Sequence, residues 1–119
     1  MFFSPITKKN SLEVEASIDL DVDADFDEVS LQVLKDSSTP QKFLAIYQES
    51  HRGTLGTETV YHRGRDFNID QILKILDAIK NSNIPILKKF YQENKNLFFD
   101  ARSFKILLEV APLEADFLL

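Results

Sequence analysis

The sequence contains no cysteine. Without thiols there is no disulfide framework, no zinc ribbon and no thiol chemistry, which fits a reducing compartment. No run of 18 apolar residues is present, so no membrane-spanning helix is expected. Met1 to Ser11 lacks the basic segment and apolar stretch of a secretory signal, so a cytoplasmic location is expected. Basic residues are in deficit, 14 against 19 acidic, and the pI is near 5. That argues against direct nucleic-acid binding, which normally leaves a basic footprint. Glycine is scarce, and Gly53-Thr54-Leu55-Gly56 is too short for a phosphate loop. No serine elbow is present either. No cofactor is expected, and no enzymatic activity.

What the chain does have is apolar and aromatic weight. Of 119 residues, 44% are hydrophobic, with ten Phe and three Tyr. A chain of this length is expected to form one domain, 1–119, around one core.

The net charge of −5 is not spread evenly. Residues 13 to 28 hold eight acids and no base. Within them, Leu12, Val14, Ala16, Ile18, Leu20, Val22, Ala24 and Phe26 occupy the even positions. Glu13, Glu15, Ser17, Asp19, Asp21, Asp23, Asp25 and Asp27 occupy the odd ones. Alternation at period two marks a half-buried β-strand, with one face on the core and the other a row of carboxylates. Fully extended, the stretch would span about 53 Å at 3.3 Å per residue. A domain of this size has a radius of gyration of about 13–14 Å, so the segment must turn. Aspartate favours turns, which places the turn in Asp23 to Asp27 and pairs residues 12–22 with Val29 to Lys35.

Further along, Asp36-Ser37-Ser38-Thr39-Pro40 is a turn cluster. Gln41 to Ser50 alternates as a strand, though Thr39-Pro40 also suits a helix start; Thr54 to His62 looks like a hairpin partner, which favours the strand. Asn68 to Lys80 carries a helical stripe, Ile69, Ile72, Leu73, Leu76 and Ile79, widened by Ile75. Asn68 is its expected N-cap. A second helix over 84–95 starts near Ile84, with Pro85 in its first turn and Leu87, Phe90 and Tyr91 on its apolar side. Ser103 to Ala111 reads as a strand apolar on both faces, hence central. The fold class is α+β: a mainly antiparallel sheet of about five strands with the helical pair (68–80, 84–95) on one face.

Three groups of residues are candidates for function. The first is the acidic row. On a strand, carboxylates two apart lie roughly 7 Å from each other, a repulsion of about 0.6 kcal/mol per pair in water. Five such pairs would cost on the order of 3 kcal/mol at low salt, a real fraction of a domain's stability. A basic partner would relieve that cost and be steered toward it. Glu13, Glu15, Asp19, Asp21, Asp23, Asp25 and Asp27 are therefore the expected partner-binding residues. A solvated or edge-protecting face is the structural alternative, and so is a row answered by the chain's own lysines and arginines. Replacing Asp19, Asp21, Asp23 and Asp25 by Asn is expected to slow association with the partner while leaving the fold intact.

The second group is the opening of the same row read as a calcium loop. Asp19, Asp21 and Asp23 have the right spacing, but Ala24 and Ser30 stand where glycine and a bidentate glutamate are needed. No metal site is expected. The third is the repeated tripeptide His51-Arg52-Gly53 and His62-Arg63-Gly64, followed by Arg65. Histidine and arginine together suit phosphodiester chemistry, but polar decoration of hairpin ends accounts for them more simply.

In size, in its lack of cysteine and in the acidic stretch Glu13 to Glu28, the chain resembles the immunity proteins of bacterial toxin systems, such as those paired with contact-dependent inhibition toxins. That resemblance implies a small cytoplasmic α+β inhibitor without catalytic residues, which neutralises a toxin domain, for instance a nuclease, by covering a basic surface. It rests on no shared motif, so it assigns no residue. Two other readings stay open: a secretion or assembly chaperone binding through apolar surface, and a phosphodiester-active enzyme using His51 or His62 with nearby arginines.

Overall fold

A computed structural model describes residues 2–21, 23–24, 26–50 and 59–106. The elements run β1 (Leu12–Asp19), β2 (Glu28–Asp36), β3 (Lys42–Ser50), β4 (Thr59–Arg65), α1 (Ile69–Lys80), α2 (Ile84–Asn94), a 3₁₀ turn (Lys95–Phe99) and β5 (Phe104–Lys105). The five strands form one sheet in sequence order, each antiparallel to its neighbour. The fold is α+β, with both helices between β4 and β5.

The hairpin turns fall where turn chemistry puts them. Asp23 and Phe26 exchange backbone hydrogen bonds, so the β1–β2 reversal lies inside the aspartate-rich segment. Asp36 donates its backbone N–H to Gln41, closing the Ser37–Pro40 turn. Gln41 to Ser50 is a strand and not a helix. It becomes β3, the middle strand, and Phe43, Leu44, Ala45 and Ile46 are all buried. The expected partner at Thr54 to His62 is β4, shifted toward the carboxyl side; residues 54–58 lie outside the described residues.

Consecutive buried residues on β3 require apolar cover on both sheet faces. One face packs on the helices through Val29, Leu31, Val33, Leu44 and Ile46, against Ile72, Ile75, Ile79, Leu87 and Phe90. The other face holds a smaller core of Leu12, Leu34, Phe43, Ala45 and Ile106, capped by Phe2 and Phe104. The amino-terminal segment reaches this second core because Phe2 and Leu12 exchange backbone hydrogen bonds of 2.7 and 2.9 Å. It is anchored by Ser4, whose hydroxyl donates to the buried Asp36 carboxylate at 2.6 Å.

A bulge in β1 sets which residue meets which core. Val14 lies opposite Leu34 and Ala16 opposite Val33, leaving Glu15 as the extra residue. Cross-strand partners share a face. Leu12 and Val14 therefore face the second core side with Leu34, while Ala16 and Ile18 face the helices with Val33 and Leu31. The even-numbered apolar positions change face at Glu15, and the odd-numbered acidic ones change with them.

The helices match their expected spans closely. Asn68 caps α1, its Oδ1 accepting from the Asp70 backbone N–H at 2.8 Å. The buried stripe is Ile72, Ile75, Leu76, Ala78 and Ile79, rotated so that Ile69 and Leu73 are exposed. Leu87, Phe90 and Tyr91 are buried on α2 as expected, and the chain then tightens into the 3₁₀ turn.

The expectation of a central strand over Ser103–Ala111 needs correction. The described part is β5, two residues long, at the edge beside β4; residues 107–111 lie outside the described residues. Phe104 and Ile106 turn to the second core while Lys105 is exposed, so the described part is apolar on one face only. Arg63 and Gly64 lie opposite Lys105 and Phe104. A Cβ at Gly64 would overlap the Phe104 ring, so glycine is needed there for space. Gly64→Ala should lower the unfolding free energy by about 1–3 kcal/mol, read from urea denaturation, through overpacking against that ring.

Candidate binding surface

The acidic residues are distributed by the bulge and the turn. Glu13 shares the helix-side end of the sheet with its cross-strand neighbour Lys35, whose Nζ is 3.9 Å from its carboxylate. Glu15, the bulge residue, pairs with Lys42. Past the bulge, Asp19 points to the opposite face beside Ser30, whose hydroxyl donates to it at 2.6 Å. Asp21 sits at φ 65°, in the left-handed region that aspartate tolerates, with Lys88 Nζ at 3.5 Å. Asp23 goes inward. Its carboxylate accepts from Tyr91 Oη at 2.9 Å and from Lys95 Nζ at 3.3 Å, and its side chain is only 5% exposed. Gln48 extends this chain from β3 by donating Nε2–H to Tyr91 Oη at 2.8 Å. Asp25 lies outside the described residues.

Among the described residues, the carboxylates therefore form no single acidic face. Lysines from β2, β3, α2 and the 3₁₀ turn answer four of the carboxylates. The two exposed pairs, Glu13–Lys35 and Asp21–Lys88, contribute about 0–1 kcal/mol each, enough to relieve repulsion without adding much stability. The row is also not uniformly replaceable, because Asp23 is part of a buried polar chain.

A smaller acidic cluster does stay together at the β1–β2 end of the sheet. Asp19, Asp21, Asp27, Glu28 and Val29 line an open hollow of about 220 Å³. Asp19, Asp21 and Glu28 are exposed, and Asp21's side chain is 79% exposed. Glu28 lies directly opposite Glu49 on β3, whose carboxylate accepts from Tyr47 Oη at 2.8 Å. Among the described residues, no three acids or histidines are grouped closely enough to hold a metal ion. Of the calcium-loop positions, Asp23 is engaged by Tyr91 and Lys95.

The histidine–arginine motif is split by the pleat. His62 lies in the middle of β4, not at a hairpin end, and faces the second core at 4% exposure. Its Nε2–H donates to Gln32 Oε1 at 2.8 Å, and Phe2 and Tyr47 stack edge-on to its ring at 5.4 and 5.5 Å. Burial pushes its pKa down to about 4. Arg63 and Arg65 are paired with Ile46 and Leu44 and so face the helices. Arg65 donates to the Leu97 carbonyl at 2.9 Å and to Asp100, clamping the 3₁₀ turn to the sheet. The hydrogen bond from Arg65 holds the Asp100 carboxyl below its usual range. His62 and these arginines cannot converge on one substrate. His51, Arg52 and Gly53 lie outside the described residues. The aromatic side chains are divided too: Tyr47 meets His62, Tyr61 packs between Phe26 and Phe99, and Phe98 is in the helix-side core.

The Gln48–Tyr91–Asp23–Lys95 chain, the Arg65–Asp100 clamp and the Ser4–Asp36 anchor join residues more than 30 positions apart. No local spacing in the sequence marks them. At Asp36, burial pushes the carboxyl up, but hydrogen bonds from Ser4, the Ser38 N–H and Ser11 outweigh it and hold it below its usual value. No family model, no curated protein and no solved structure matches this chain.

Two outcomes are expected. The folded state keeps His62 neutral while the unfolded chain takes up a proton below pH 6.5, so stability should fall as pH drops from 6.5 toward 4. The loss should reach about 3 kcal/mol, and His62→Gln should flatten that part of the profile in chemical denaturation. Below it, protonation of Asp36 adds a further loss, which Ser4→Ala should reduce. Separately, Asp23→Asn should cost about 1–3 kcal/mol by weakening the charge-assisted bonds to Tyr91 and Lys95, and Asp19→Asn less than about 0.5 kcal/mol, compared by thermal melts.

Proposed function

We propose that this chain is a binding protein that neutralises a protein partner, as an immunity protein does a toxin domain, and that the acidic end of its sheet receives the partner's basic surface. The observation that carries the reading is the open hollow framed by Asp19, Asp21, Asp27 and Glu28. Its carboxylates stand on the β1–β2 hairpin, where Glu28 lies opposite Glu49. The expected site residues narrow accordingly: Glu13 and Glu15 are engaged by lysines on the helix side, and Asp23 serves the fold.

A carboxylate cluster of this kind would occupy a cationic cleft in place of phosphates. Encounter would be steered by charge and weakened by salt. Among the described residues, no helix is long and apolar enough to cross a membrane, so the partner is taken to meet the protein in aqueous solution. The phosphodiester reading is weakened by the burial of His62 on the face away from Arg63 and Arg65.

The test uses the product of the gene adjacent to this protein's own. Stopped-flow association at 50 mM salt should be fast, and Asp19→Asn with Asp21→Asn should slow it by about tenfold without changing the melting temperature. Failure to form a complex, or an association rate indifferent to both substitutions, contradicts the proposal.

A further inference from the structure

At the opposite end of the second sheet face, two open hollows of about 330 and 290 Å³ meet at Pro5 and Phe104. Together they make a groove between the amino-terminal segment and β5. Its apolar surface comes from Phe3, Pro5, Phe43 and Phe104. Its charged walls are mainly cationic: Lys8, Lys105 and Arg102 against Asp66. In a chain of net charge −5 this is a local reversal of sign.

Among the described residues, the two lysines, Lys8 and Lys105, are exposed and stand without an ion pair. Arg102 lies 3.9 Å from Asp100, whose carboxylate is already held by Arg65. Lys8 is also held in an unfavourable backbone. Its φ of 60° is in the left-handed region, which a lysine enters only at a cost of about 1–2 kcal/mol. The turn enforcing it is closed by the Lys8 N–H donating to the Ser4 carbonyl at 3.0 Å, and Ser4 is fixed to the buried Asp36. A strained residue retained on a rigid turn beside a groove points to a use for its side chain.

The backbone supplies a third feature. Among the described residues, β5 is the last strand of the sheet. Ile106 donates its N–H inward to the His62 carbonyl at 2.9 Å. Neighbouring amides on a strand point in opposite directions, so the Lys105 N–H is directed to the outer edge.

We propose that this groove is a docking site for an extended segment of another protein, one that alternates apolar residues with carboxylates and adds as a strand along the outer edge of β5. Backbone hydrogen bonds would supply the register, Phe104 and Pro5 the apolar contact, and Lys8, Lys105 and Arg102 the preference for acidic side chains. The site shares no residue with the acidic hollow and stands independently of the function proposed for it.

The experiment uses the full chain and fluorescein-labelled heptapeptides alternating valine with glutamate, beside a matched set with lysine in place of glutamate. Fluorescence anisotropy should show the acidic set binding at least about tenfold tighter than the basic set. Amide shifts in ¹H–¹⁵N spectra should centre on Phe104 to Ile106. Lys8→Glu with Lys105→Glu should reverse the preference, and Lys105→Gln alone should weaken acidic binding should the double variant fold poorly. Equal affinity for both sets, no binding, or shifts centred elsewhere would overturn the proposal.

Discussion

One extra residue in β1 governs the rest of this structure. Glu15 has no cross-strand partner between Val14–Leu34 and Ala16–Val33, and the strand changes face there. Before it, Leu12 reaches the second core; after it, Ala16 and Ile18 reach the helices. A regular strand would send Leu12 and Ile18 to the same face and leave one of the two cores incomplete. The bulge also sits on an edge strand, where an irregular ladder and charged side chains discourage pairing with other chains.

The same residue resolves the charge problem. Seven carboxylates in register would repel one another along one face. Here the bulge, the left-handed Asp21 and the inward Asp23 disperse them over two faces and a turn, and four lysines from separate elements meet them. What remains clustered is the hairpin end around Asp19, Asp21, Asp27 and Glu28, with the cationic groove of Lys8 and Lys105 elsewhere on the molecule. Among the described residues, acidic and basic side chains thus gather at two separate places, although the composition reads as mildly acidic.

Much of the fold was legible because it is written locally. The 3.6-residue stripe and Asn68 define α1, the Asp–Ser–Thr–Pro cluster ends β2, and the period-two alternation announces β1. The site was legible only in part. A period-two pattern gives faces correctly until a bulge intervenes, and nothing in Val14-Glu15-Ala16 distinguishes a paired residue from an extra one. The extra residue is selected by what lies across the sheet, where Leu34 and Val33 must serve different cores. His62 and Arg65 were hidden for a related reason: adjacent polar residues look like one motif in sequence but project to opposite faces of a strand. The cover on the second face, which buries His62, comes from Phe2, sixty positions away.

The most direct measurement is the β1–β2 register in solution, from interstrand nuclear Overhauser effects in the labelled protein. The account predicts contacts between Val14 and Leu34 and between Ala16 and Val33, with Glu15 contacting no single residue across the ladder. An unbroken register, with Glu15 opposite Val33 and Ala16 opposite Gln32, would contradict it. It would return the acidic residues to one continuous face.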